Sequence, residues 1–149
     1  MNTFRTRIRR GITGTAIVAT ATGFAALALA GPASAGTVTS KTLNVKDCLS
    51  TNQTCDNTPG AIVNTKGEHI RVEFIASTEH CSNIIAHIIV DGNEWGNKLV
   101  KPGQSDGGYE IPVAAGTHNI EVRAEGVKGG CNTGRLASWK GTLEIEKLT

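Results

Sequence analysis

The sequence predicts an all-β, disulfide-stapled β-sandwich of the Ig-like kind, and three observations carry that expectation. Short stretches of alternating apolar and polar residues recur about every ten residues between glycine-rich turns. No stretch sustains apolar residues at i, i+3, i+4 and i+7, the signature of an amphipathic helix. Four cysteines, Cys48, Cys55, Cys81 and Cys131, follow a segment that reads as an export leader, and an even number in an exported chain implies two disulfides.

The leader is expected over residues 1–35. Arg5, Arg7, Arg9 and Arg10 precede an apolar stretch over 11–30, and Ala33-Ser34-Ala35 supplies the small-residue end. Thr13, Thr15, Thr20 and Thr22 interrupt the apolar part, so a spanning helix and a membrane role are not expected. Removing the leader leaves 11 basic residues against 13 acidic ones, which turns the formal net charge of +2 negative. A basic footprint for nucleic acid is therefore absent.

Residues 36–46 form a polar segment with an alternating tail. Val38, Leu43 and Val45 are its apolar positions, and the segment reads as a flexible N-terminal arm or an edge strand. Residues 47–149 read as a single sandwich domain. Within it, 47–60 is a loop rich in Ser, Thr, Asn and Asp, with Cys48 and Cys55 bracketing six residues and closing it by a local disulfide. Residues 69–77 alternate: Ile70, Val72, Phe74 and Ala76 point one way, and His69, Arg71 and Glu73 the other. Residues 83–91 are apolar on both faces except at His87, which suits a strand in the middle of a sheet or on a covered edge.

Asp91-Gly92-Asn93 ends that run with turn chemistry, and 92–97 reads as a polar hairpin loop holding Trp95. Tyr109, Ile111 and Val113 make a short strand whose Pro112 suits an edge. After a turn at Ala115-Gly116-Thr117, residues 118–125 alternate again. A second glycine-rich loop over 126–134 holds Cys131. The final strand is expected over 136–146, with Ala137, Trp139, Leu143 and Ile145 on one face.

Four cysteines allow three pairings. Cys48–Cys55 with Cys81–Cys131 is preferred, because the first pair closes one loop and the second staples two strands.

Several residues invite a chemical reading. Gly103-Gln104-Ser105-Asp106-Gly107 fits the written pattern G-x-S-x-G, but no helix follows it, so a hairpin loop is the better reading. Among the histidines, His87 interrupts an apolar run and reads as a hydrogen-bonded structural or interface residue. His80-Cys81 lacks the paired cysteines of a structural zinc site. Asp91-Gly92-Asn93-Glu94 begins like a calcium loop, but Trp95 and Pro102 occupy ligand positions. No metal, no other cofactor and no catalytic residues are expected. Trp95, with no core pattern around it, is the candidate interface anchor.

Ile89-Val90-Asp91-Gly92, followed by the run from Val113 to Val122, resembles a hairpin of exported bacterial Ig-like sandwiches. The leader, the mature length, the stapled sandwich, the N-terminal arm and the missing catalytic groups together resemble the small adaptor subunit of umbrella toxin particles secreted by filamentous soil bacteria. That resemblance implies a connector between a lectin subunit and a large toxin polypeptide, in a particle that antagonises competing bacteria. It implies that the arm docks into the lectin and the sandwich engages the toxin.

The expected function is thus a secreted, non-enzymatic adaptor whose partners are other secreted proteins. Two alternatives stand beside it. Trp95 and Tyr109 would serve a carbohydrate-binding module that takes a glycan. The braced loop over 47–60 would serve an inhibitor of a secreted hydrolase.

Overall fold

The computed structural model describes residues 36–46, 48 and 54–148, so the expected leader and residues 49–53 lie outside the described residues. Among the described residues nine strands run in chain order: β1 (Val38–Val45), β2 (Thr54–Asp56), β3 (Ala61–Lys66), β4 (His69–Ala76), β5 (Ile84–Val90), β6 (Asn93–Val100), β7 (Tyr109–Pro112), β8 (Ala115–Gly126) and β9 (Trp139–Leu148). The first sheet has the order β1-β9-β4-β7. In the second sheet β8, β5 and β6 follow one another, and β2 and β3 lie end to end along the free side of β8. All pairings are antiparallel. No helix occurs among the described residues, and the predicted disulfide-stapled β-sandwich is what forms.

Alternation explains the two layers. In β4, Ile70, Val72, Phe74 and Ala76 are buried, while His69 and Arg71 face solvent. In β9, Trp139, Leu143 and Ile145 point inward. From the second sheet, Ile84, Ala86, Ile88 and Val90 of β5 meet them, with Ile120, Val122 and Ala124 of β8. The apolar run at 84–90 is a central strand, with β8 on one side and β6 on the other. Its connection to β6 is a two-residue turn. Asp91 and Gly92 have φ of 51° and 79°, the left-handed geometry of the tight hairpin turns that match strand twist.

Trp139 and Phe74 meet edge to face, with ring centroids 5.7 Å apart and planes at 80°. The Trp139 indole donates to the Cys55 carbonyl at 3.0 Å, which reaches from the first sheet to β2 of the second. Gly141, one inward position along β9, has no room for a side chain: a Cβ there would overlap the Phe74 ring. The disulfides join Cys48 to Cys55 and Cys81 to Cys131, with Cα atoms 5.5 and 5.6 Å apart, the pairing preferred on sequence grounds. Disulfides of this kind persist in oxidising compartments.

Five expectations need correction. The turn expected at Ala115-Gly116-Thr117 is instead the start of β8, where these residues pair with the end of β3. The flexible arm over 36–46 is replaced by β1, an edge strand paired with β9 from Val38 to Val45; Leu43, only 3 % exposed, anchors it in the core. The loop over 47–60 contains the short strand β2. The polar hairpin loop over 92–97 is instead most of β6, because Asp91 and Gly92 suffice for the turn and backbone pairing at a sheet edge tolerates polar side chains. The last strand begins at Trp139 rather than 136, and Ala137 is exposed; the Ala137 carbonyl accepts from the Cys48 amide.

Substituting Gly141→Ala should force Phe74 and Trp139 apart and cost about 1–3 kcal/mol. Urea denaturation measures this directly. An unchanged midpoint would show that the ring contact tolerates displacement.

Candidate interaction surfaces

Strand β6 is the last strand of the second sheet, with no neighbour beyond it among the described residues. It has eight residues, and its register with β5 shifts between Ile88 and Ile89, leaving Trp95 as the extra residue of a bulge. Trp95 is 45 % exposed and Leu99 is 51 % exposed. Leu99 pairs with the half-buried Ile85. An open strand edge bearing large exposed apolar side chains is the usual place for another chain to add a strand.

The adjoining outer face of the second sheet is polar and cross-braced. His87 Nδ1 lies 3.0 Å from a Glu94 oxygen, and its Nε2 lies 3.3 Å from a Glu125 oxygen. Asn97 donates to the same Glu94 oxygen at 2.9 Å, and these two bonds hold the Glu94 carboxyl below the usual carboxylate range, Asn97 contributing more. Arg123, the cross-strand partner of His87, binds Asp56 at 2.7 Å and ties β2 to β8. His87 is therefore a bridging residue of the sheet face that borders β6.

The edges at β7 and at β2–β3 are better protected. β7 is four residues long and contains Pro112, which removes a backbone donor. The β2–β3 edge is interrupted at residues 57–60, where buried Asn57 accepts the Val122 amide at 2.6 Å. β1 forms the remaining long edge. Val38 is 56 % exposed at its start and Val45 half-buried at its end. Lys41 reaches from β1 across to the carbonyls of Pro59 and Gly60, at 3.0 and 2.8 Å. Of the residues singled out beforehand, Val38 and Trp95 are thus presented to solvent, whereas Leu43 serves the core. Tyr109 sits against Gly96 and is half-buried, and burial raises its phenol pKa; it shares no exposed platform with Trp95.

The residues of chemical interest have structural partners. The Ser105 hydroxyl donates to Glu73 and accepts the Gly107 amide at 2.7 Å. Beside it, buried Asp106 accepts the amides of Phe74 and Gly108, at 3.1 and 2.9 Å, and pins this loop along β4; burial raises its carboxyl pKa. His69 faces Glu110 on the outer side of the first sheet. The calcium-like start at Asp91 is occupied from within, since its two oxygens engage the Asn119 amide at 2.9 Å and His118 at 2.7 Å. Among the described residues no group of His, Cys, Asp and Glu could hold a metal ion. No helix there is long and apolar enough to cross a membrane.

Compared with known proteins, the chain matches no family model, and no curated protein is significantly similar to it in sequence. Sequence reasoning missed Leu99 and the exposed Ile62 on β3. For Leu99 a signal existed: Trp95, Asn97 and Leu99 stand two apart, a strand spacing masked by the polar residues around them.

The His118–Asp91 pair yields a pH prediction. His118 Nε2 lies 2.9 Å from the Ala114 carbonyl while Nδ1 faces the Asp91 carboxylate, an arrangement of two acceptors that favours the doubly protonated ring. The Asp91 bond, then the Ala114 carbonyl, raise the His118 pKa; the His118 bond and the Asn119 amide lower that of Asp91. The stabilisation from His118 is complete below its unfolded pKa, about 6.5, and is lost as pH rises through the raised folded value. The Asp91 contribution is complete above its own unfolded pKa and is lost as pH falls through the depressed one. Urea midpoints of the native chain and His118→Gln should therefore differ most near pH 5 to 6 and converge in alkali. A constant difference would refute the pairing.

Proposed function

We propose that the chain is an exported, non-enzymatic adaptor that holds other secreted proteins through its open strand edges. The observation that carries this reading is the pair of eight-residue edges, β1 and β6, on opposite flanks of the sandwich, the second bearing Trp95 and Leu99. An adaptor needs two surfaces that can be engaged at once. Strand addition supplies main-chain hydrogen bonds at each edge, and the exposed side chains select the partner. Tryptophan is the residue type most often found at the energetic centre of such contacts.

Two further features support the reading. The expected leader and the two disulfides suit a protein that works outside the cell. The partners of Ser105, Asp106 and His118 all serve to pin loops and turns, which fits a role without reacting groups. In the particle that the umbrella-toxin resemblance implies, the partners are a lectin subunit and a large toxin polypeptide, and the outcome is antagonism of competing bacteria. The assignment of the arm to the lectin then becomes an assignment of the β1 edge.

Removing residues 36–45 would take Leu43 out of the core, so point substitutions are the better test. Tagged chain recovered from its own culture supernatant should bring down a stoichiometric partner. Trp95→Ala with Leu99→Lys should reduce that capture at least about tenfold, the effect expected of an aromatic anchor, while leaving the melting temperature nearly unchanged. Recovery of the chain alone, or undiminished capture by the double variant, would count against the edge at β6.

A further inference from the structure

A cleft of about 380 Å³ opens at the end of the sandwich where β4 stops, β5 begins at Ile84 and β9 begins at Trp139. It lies beside the Cys81–Cys131 disulfide, which joins the two loops that form its walls. Its volume falls within the range of small-molecule sites, about 300–1,000 Å³. Ile84, Leu136 and Trp139, all buried, supply apolar lining.

The polar groups of the cleft are mostly donors. His80 Nε2 accepts the Lys140 amide at 2.9 Å, which leaves the ring proton on Nδ1. A ring that accepts at Nε2 donates from Nδ1, and burial pushes its pKa down in the same sense. Ser82 and Ser138 contribute hydroxyls that have no protein partner among the described residues. Glu79, the carboxylate of the lining, is already bound to Lys140, and that bond holds its carboxyl below the usual range. Arg135 is exposed and has no acidic partner among the described residues.

On the outer faces of the two sheets carboxylates outnumber the cations Arg71 and Arg123. Asp56, Glu94, Glu121 and Glu125 lie on the outer face of the second sheet, and Glu73, Glu110, Glu144 and Glu146 on that of the first. In the cleft the lining includes two cations and one carboxylate, and the carboxylate is satisfied by Lys140. A planar guanidinium left over beside apolar walls is suited to a carboxylate, which it can bind through two parallel hydrogen bonds.

We propose that this cleft is a binding site for a carboxylate that carries an adjacent apolar group, with Arg135 holding the carboxylate and Ile84, Leu136 and Trp139 receiving the apolar part. The proposal is independent of the strand-edge reading, because the cleft shares no residue with β6 or β1. A small free acid and the last residue of another chain both present this chemistry.

The chain has two tryptophans, Trp95 and Trp139, so its indole N–H signals in a nitrogen-proton correlation spectrum number two, and Trp95→Phe assigns them. N-Acetyl-L-phenylalanine should shift the Trp139 signal saturably, with millimolar or tighter affinity, and leave Trp95 in place. Its amide, which lacks the carboxylate, should fail to bind. Arg135→Gln, at an exposed position, should keep the spectrum of a folded chain and weaken binding at least about tenfold, the loss expected for a charge-assisted pair. A Gly-Gly-Gly-Phe peptide with a free carboxyl end distinguishes the sources: binding equal to the acetylated amino acid supports a chain end, and much weaker binding supports a small acid. Absence of saturation, equal binding of the amide, or undiminished binding by Arg135→Gln would each overturn the assignment.

Discussion

The indole of Trp139 is the contact on which the two layers depend. Its ring stands edge-on against Phe74, and its N–H reaches the Cys55 carbonyl on the far sheet. A buried indole N–H without an acceptor is costly, so the position of β2 and the orientation of Trp139 are set together. The bareness of Gly141 makes the arrangement possible, since the ring of Phe74 occupies the space a side chain would need. β9 can then run between β1 and β4 as a continuous central strand.

Around that core, the polar groups are arranged to hold loops and turns in place. Asp91 clamps its own hairpin turn to the start of β8, Asp106 clamps its loop to β4, and Asn57 clamps the break between β2 and β3 to Val122. Each is an Asx side chain satisfying a backbone amide that a regular ladder would have left unpaired. The consequence is a braced sandwich that leaves three margins open to recognition: the edge at β6, the edge at β1, and the cleft beside Cys81 and Cys131. Recognition at such margins draws on main-chain donors and acceptors and a few exposed side chains.

Much of this was legible beforehand, and what was not has definite causes. The alternation at Ile70, Val72, Phe74 and Ala76 maps directly onto β4, and the doubly apolar run around His87 onto a central strand, because burial on one face or two leaves a period in the sequence. Pro112 marked an edge correctly. Strand β3 carries no clear period although Ala61, Val63 and Thr65 are buried, since an apolar Ile62 on the exposed face and a polar Thr65 on the buried one blur the alternation. The carboxylates beside His87 could not be found at all. Glu94 comes from the next strand through a bulge and Glu125 from β8, and their juxtaposition is a matter of sheet register. Arg135 likewise stands in a glycine-rich loop that gives no periodic cue, and only the fold brings it to Trp139 and His80.

The pairing of Val38 with Glu146 has one more consequence. The first and last strands of the sandwich run side by side, so both described ends of the chain emerge at a single pole, while Trp139 and the walls of the cleft lie at the other. Tethering the molecule at either described end, to a fusion partner or to a solid support, would orient the cleft away from the attachment point. The same adjacency makes the ends suitable for joining through a short linker, with new termini opened in a distant surface turn.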